Sequence, residues 1–490
     1  MAAAIALAGC GTTYYFDGRV LPPSGLVNRV LIAIQNPSAF TKGALQIVDA
    51  YYDRRSGYNG TPSTYSLSGF AGALPISIQS MPEEQFGAVY GFGDGTFTLA
   101  GYAQEKSIST VGGLNGLSSS IFVTRNKVYV FAASQTSHVL TVVNLGTGGS
   151  NALGLPGVNR VSVNPGGSVA LAFVQNSNYV YYPVELTSGQ TLNYSGGPTA
   201  WPKAAVDCEP QNAPAWCLFQ MQSPDHQDPK YSGLYYGAPL TFDHPVKAVF
   251  SSDGGTAYIL SCGPECGGST SSYTRVPIAP MIFLPGESSG LLPTTNALAS
   301  ATVAIPGGAS NALVDSSTMY VVGQCPELAS SFGHCQSAVS SQTYFGGNLT
   351  VVNLSSNTAS SPVSISDGQP GATSRMIEAD DNTLWIAMTG CTTGVRYASG
   401  ASGGYGCLTM YNTSNGNVLL MPYIGDATGI AAVTGLDKIY TAQGGQVYIY
   451  STACSSTECA SIDNQYVTVT GTAYDVAYMD AIADADNTVY

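Results

Sequence analysis

The 490-residue sequence predicts an all-β fold built by repetition, and three observations carry that prediction. Short β-rich runs punctuated by Gly, Asn and Asp fill the chain. No long segment places apolar residues at i, i+3, i+4 and i+7, as an amphipathic helix would. Two strand-like motifs recur from one end of the chain to the other.

The first motif is a tight turn followed by an aromatic and small or apolar residues. It occurs as Asp253-Gly254-Gly255-Thr256-Ala257-Tyr258-Ile259, Asp315-Ser316-Ser317-Thr318-Met319-Tyr320-Val321 and Asp381-Asn382-Thr383-Leu384-Trp385-Ile386, and again around Tyr129, Tyr440 and Tyr490. Its turn residues are those that tolerate positive φ. The second motif alternates apolar and polar residues and ends in Asn or Asp. Residues 140–145 reappear letter for letter as 349–354, with variants at 45–49, 408–412 and 447–450.

In these residues the chain resembles the YVTN-type β-propeller repeat family over nearly its whole length. That resemblance implies one β-propeller. Tyr90, Tyr129, Ala170, Tyr258, Tyr320, Trp385 and Tyr440 mark seven blades, and Val30-Leu31-Ile32-Ala33-Ile34 opens an eighth that lacks a leading strand. The orphan run from Tyr474 to Met479 can supply it, so the two chain ends share a blade and close the ring, which removes exposed edges. Eight blades is the expected count, and seven the alternative if the segment near Phe86 is not a blade. The propeller is expected over 28–490, after a leading segment at 1–27 and with a long inserted loop at 187–243.

Charged residues make up 9% of the chain, against about 25% in ordinary globular proteins. The surface must therefore be built from hydroxyls, amides and 31 Tyr. With 16 Lys+Arg against 30 Asp+Glu the net charge is −14, and no basic cluster occurs. Nucleic acid and anionic lipid head groups are excluded as partners, because both are held by clustered cations. No stretch approaches the ~20 apolar residues of a membrane-spanning helix.

Leu7-Ala8-Gly9-Cys10 follows a short apolar run and resembles the lipobox of bacterial lipoproteins. That resemblance implies acylation of Cys10 and a lipid anchor; the alternative is an apolar N-terminal strand with a buried cysteine. The other ten cysteines fall into close neighbours, which predicts the disulfides Cys208–Cys217, Cys262–Cys266, Cys325–Cys335, Cys391–Cys407 and Cys454–Cys459. Zinc would need two pairs with short spacing to converge, and the remaining spacings are wrong for that. Disulfides place the chain in an oxidising compartment, at the bacterial surface, in the periplasm or secreted.

In a propeller, the connection from second to third strand opens on the same face as the link between blades. The bridges at Cys262, Cys325 and Cys391 are expected in such connections, and Cys208–Cys217 in the long link before His244. These four are therefore expected on one face and Cys454–Cys459 on the other. The link carries Trp201, Trp216, Asp225, His226, Asp228, Tyr235 and Tyr236, aromatics beside carboxylates that suit a saccharide or another polar ligand. The competing expectation is that so long an insertion needs these rings for a small core of its own.

No catalytic set emerges. Gly286-Glu287-Ser288-Ser289-Gly290 and Gly400-Ala401-Ser402-Gly403-Gly404 match Gly-x-Ser-x-Gly, but neither precedes a helical pattern. His138, His226, His244 and His334 lack metal-ligand spacing, and Asp484-Ala485-Asp486-Asn487 lacks the glycine and terminal Glu of a calcium loop. No cofactor or metal is expected. The expected function is non-catalytic binding of a protein or polymer through the disulfide-rich face. A self-assembling extracellular subunit and a lactonase-like enzyme, the latter suggested by relatives of the repeat family, are the alternatives.

Overall fold

Each repeated motif has one face to bury and turn residues to reverse the chain, and the computed structural model converts the repeats into eight antiparallel blades. It describes residues 22–36, 42–55, 66–67, 72–112, 114, 118, 120–124, 128–186, 201, 203, 205–209, 215–223, 225–229, 235–277, 301–328, 330, 334–366, 371–391, 407–423, 425–453 and 465–481. The fold is an all-β propeller. Blade 1 orders Thr472–Tyr478, Arg29–Gln35 and Ala44–Asp49 from the inside outwards, so the last described strand leads the first two. Its edge continues in a bridge between Gln46 and Ser66.

Blade 2 follows with Pro75–Met81, Phe86–Gly91, Thr96–Gly101 and Lys106–Val111, so the segment near Phe86 is a true blade. Blade 3 uses Ser120–Val123, Tyr129–Ser134, Val139–Asn144 and Ser150–Gly154. Blade 4 opens with Val158–Val163, Ala170–Val174 and Val180–Leu186. Blade 5 has Pro245–Phe250, Thr256–Ser261, Ser272–Pro277 and Ala301–Ala304. Blade 6 has Asn311–Asp315 and two long strands, Thr318–Leu328 and Thr343–Asn353, edged by two short ones. Blade 7 runs Ala372–Ala379, Thr383–Thr389, Leu408–Asn412 and Val418–Leu420. Blade 8 closes the series with Ala427–Val433, Lys438–Gln443, Gln446–Ser451 and Tyr466–Val467. All seven marker residues lie in second strands, with Val30 to Ile34 in the eighth, and Gly254, Ser316, Asn382 and Asp437 in the turns adopt the positive φ their types predict. The repeat at Tyr490 lies outside the described residues.

Blades 1, 2, 7 and 8 form one compact unit and blades 3 to 6 another. Within each, the core is a series of apolar layers between neighbouring sheets. Val30, Ile32 and Val48 of blade 1 meet Tyr440, Val447 and Ile449 of blade 8, and Tyr258, Leu260 and Tyr273 of blade 5 meet Met319 and Val321 of blade 6.

The long link departs from expectation. It is not a loop inserted between blades, because Ala215–Gln220 pairs with the third strand as the fourth strand of blade 4 and Ala205–Glu209 adds a fifth. The sheet's edge exposes backbone N–H and C=O groups, and a returning segment satisfies them. Cys208–Cys217 therefore bridges two adjacent edge strands, with Cys217 opposite Val184. It does not belong to a face-forming connection, which corrects the expected grouping of four bridges.

Asp475 ties three blades of its unit together. From the first strand of blade 1 it accepts Ile78 N–H of blade 2 at 2.6 Å and Arg375 Nη2 of blade 7 at 2.5 Å. Gly429 of blade 8 makes room, since a Cβ there would overlap the carboxylate. Burial raises the Asp475 carboxyl to about 6, against the pull of Arg375 and the backbone N–H groups. The unfolded value is about 3.9, so the folded chain holds this proton more tightly. The extra stability is complete below about pH 4 and is lost as pH rises through about 6. The stability difference between wild type and Asp475→Asn should therefore fall by on the order of 3 kcal/mol from pH 4 to 7 in urea melts. A difference independent of pH would refute this.

Candidate functional site

The end of a blade at which its second strand turns into its third is called here the upper end. At the upper end of blades 4 and 5 lies a cleft of about 330 Å³. Blade 4 contributes Asn159 from its first strand, Val174 from the end of its second, and Gln175 and Asn176 from its second-to-third connection. His244, Pro245 and Val246 enter blade 5, and Glu265 and Cys266 close the wall from the turn between its second and third strands.

Local irregularity shapes this cleft. The pairing register slips between Val158 and Arg160 and again between Pro245 and Lys247, which makes Asn159 and Val246 the extra residues of β-bulges. A bulge re-aims its side chain relative to the regular pleat. The buried Oδ1 of Asn159 accepts no hydrogen bond from any described residue. A buried acceptor without a donor costs about 1–3 kcal/mol.

The charged groups nearby are shifted from their ordinary values. Burial raises the Glu265 carboxyl, opposed by hydrogen bonds from Gln324 N–H at 2.9 Å and Gln324 Nε2 at 3.1 Å and by the Arg160 charge. Burial lowers Arg160, opposed by Glu265. Beside the cleft, burial alone would raise Asp243, but hydrogen bonds from Ser269 Oγ, the N–H groups of Thr270 and Ser269, and His244 bring it down to about 2. Asp243 thereby clamps the strand that leaves the turn bearing Cys262–Cys266.

The residues expected to bind ligand are divided. Gln222 bridges Pro239, and a ribbon pairs His226 with Tyr236 and Gln227 with Tyr235 after the fourth strand of blade 4. Asp225 and His226 are exposed, and the His226 ring lies 5.5 Å from that of half-buried Tyr236. The side chain of Tyr235 lies outside the described residues. Trp201 is half-buried against the core of blades 4 and 5. Asp228 is buried and accepts the Lys203 N–H at 2.8 Å, a structural role.

Trp216 is the clear correction. It is 3% exposed and packs edge-on against Tyr129 at 5.2 Å and Phe131 at 6.0 Å, between blades 3 and 4. Alternation along its strand sends Trp216 and Leu218 towards blade 3, and Cys217 and Phe219 towards blade 5. It is a core residue and offers no face to a ligand.

Cys262–Cys266, Cys325–Cys335 and Cys391–Cys407 are formed, and the first and third lie between second and third strands, as expected. In blade 6 the second strand runs on to Leu328 and includes Cys325, paired with Gly346, so only Cys335 lies in the connection. Cys10, Cys454 and Cys459 lie outside the described residues. The sulfurs of Cys391 and Cys407 lie within 4.8 Å of an Asp426 oxygen, but they are bonded to each other and offer no thiolate to a cation. Asn159, Gln175, Asn176 and Glu265 were not anticipated as site residues. The single signal for them was Glu265, a carboxylate enclosed between two closely spaced cysteines.

No family model matches the chain, and no curated protein matches it. Solved structures similar to it include Kuenenia stuttgartiensis hydrazine synthase, at 13% identity and TM-score 0.44, covering 82% of this chain and 100% of that one. The dihydro-heme d1 dehydrogenase NirN is similar at 11% identity and TM-score 0.48, with 94% and 79% covered. The β-propeller domain of Myceliophteria thermophila Cps50 (Swd1) is similar at 9% identity and TM-score 0.42, with 77% and 96% covered. No helix among the described residues is long and apolar enough to cross a membrane.

Proposed function

We propose that this chain is a non-catalytic binding protein of an oxidising, extracytoplasmic compartment, which holds a polar segment of a polymer or protein in the cleft of blades 4 and 5. The observation that carries the reading is the buried, unsatisfied Oδ1 of Asn159 in a cleft whose other walls mix amides, a carboxyl and apolar side chains. Such a site asks for a ligand that brings a hydrogen-bond donor. The exposed Asp225 and His226 of the neighbouring ribbon extend the polar surface. The YVTN-like repeats supply the scaffold in this proposal, and a lipid at Cys10 supplies the attachment.

Calorimetry against soluble oligosaccharides and short peptides tests the cleft. Asn159→Leu should weaken a bound member by about ten-fold or more, while leaving thermal stability unchanged or slightly raised, because an orphan acceptor is removed. Binding untouched by Asn159→Leu, or no binding to any member, rejects the reading. Intact mass of protein from its own source tests the anchor. A chain starting at Cys10 with acyl mass supports it, and an unmodified Met1 rejects it.

A further inference from the structure

The geometry points to a second activity at this cleft: the Cys262–Cys266 disulfide exchanges with a partner's thiol, which attacks Cys266. The four described bridges differ in what they offer an incoming thiolate. Cys208, Cys217, Cys391 and Cys407 are all 1% exposed or less. Cys266 is half-buried and lines the open cleft, whereas Cys262 behind it is fully buried. Attack from the cleft thus meets Cys266 first and leaves Cys262 as the leaving group.

The turn that carries the bridge is also held by hydrogen bonds of its own. Gly267 N–H bonds to the Pro264 carbonyl and Gly268 N–H to that of Gly263 at 2.8 Å. Ser271 Oγ bonds to the Cys262 carbonyl at 2.9 Å, Asp243 holds Ser269 and Thr270, and Glu265 holds Gln324 of the neighbouring blade. A bridge spanning a separation of 4 also contributes least chain entropy, since the others span 9, 10 and 16. It is the least useful of the four as a staple.

The chemistry closes on groups already in place. A partner thiolate forms a bond to Cys266 Sγ, the Cys262–Cys266 bond breaks, and the electron pair leaves on Cys262. That thiolate takes a proton from solvent in the cleft, and the resulting S–H has the His244 carbonyl oxygen 3.3 Å away as acceptor. A second partner thiolate then attacks the first partner sulfur, the bond from that sulfur to Cys266 breaks, and Cys266 leaves as a thiolate that takes a proton from solvent. Two thiols have become a disulfide, and the protein's pair is reduced by the same two electrons. At Cys325–Cys335, where Cys335 is also half-buried, the sulfur of Cys325 accepts from Asn348 Nδ2 at 3.1 Å but lies 3.8 Å from the buried carboxyl group of Glu327, and its bridge spans a longer separation, 10 against 4. This inference stands apart from the ligand reading, since it needs only a thiol.

The oxidised protein would be equilibrated in graded mixtures of reduced and oxidised glutathione, quenched by alkylation and mapped by peptide mass. Cys262 and Cys266 should become labelled at a reducing ratio about ten-fold lower than the other three described bridges require, with far-UV circular dichroism unchanged. Labelling of another of these bridges first, or loss of β signal along with the Cys262 label, overturns the proposal. In Cys262→Ser, Cys266 is left as a thiol and should form a mixed disulfide with oxidised glutathione. A folded variant whose Cys266 stays unmodified overturns it too.

Discussion

Arg29→Ala is expected to lower stability by about 3–5 kcal/mol, because it leaves two buried carboxylates without their cation. Arg29 is fully buried at the start of the second strand of blade 1. Its Nε and Nη2 donate to Asp480 at 3.0 and 2.6 Å, and its Nη1 donates to Glu105 at 2.9 Å and to the Tyr102 carbonyl at 2.7 Å. Asp480 also accepts the Arg29 backbone N–H at 2.7 Å, and Ser24 N–H and Oγ donate to Glu105. Domains are stable by about 5–15 kcal/mol in total, so the loss is a large share. Arg29→Lys keeps the charge but not the planar fork and should fall between wild type and alanine. Urea midpoints measure both, and an alanine variant within about 1 kcal/mol of wild type contradicts the account.

Trp216→Ala should cost about 3–5 kcal/mol by opening a cavity between blades 3 and 4. The indole touches Tyr129 and Phe131, whose rings have few other ways to fill the space. Near-UV circular dichroism should lose aromatic signal as the midpoint falls. Trp201→Ala, at a half-buried position on the periphery of the core, should cost less. Equal losses at the two sites would show that Trp216 is not the anchor described.

Much of the fold was legible because the repeat is local. Turn residues, an aromatic and an alternating strand fall within about a dozen positions, so the second and third strands of most blades could be read directly. Blade closure was legible because Tyr474 to Met479 had no partner nearby in sequence and Val30 to Ile34 lacked a leader. Outer strands were harder. Lys106–Val111 is largely exposed, so burial imposes little pattern on it. The fourth strand of blade 4 was hidden by its distance from the third, although the alternation of Trp216 and Leu218 with Cys217 and Phe219 carried the signal. The cleft was not legible, because it depends on two bulges and on side chains from neighbouring blades that no periodicity brings together.

The shared blade also sets the timing of folding. Val30 waits for Tyr478, and the Asn28 and Tyr478 side chains that bond beside them are 450 residues apart in sequence. Loop-closure entropy for so long a span is on the order of 5 kcal/mol, a cost that intervening blades reduce only once they have formed. The strand Arg29–Gln35 therefore leaves the ribosome before its partner Thr472–Tyr478 and until then has one edge unpaired, a template for pairing with another chain. Blade 1 is the last to be completed, and protection of its amides against hydrogen exchange during refolding should arise after that of blades 3 to 6.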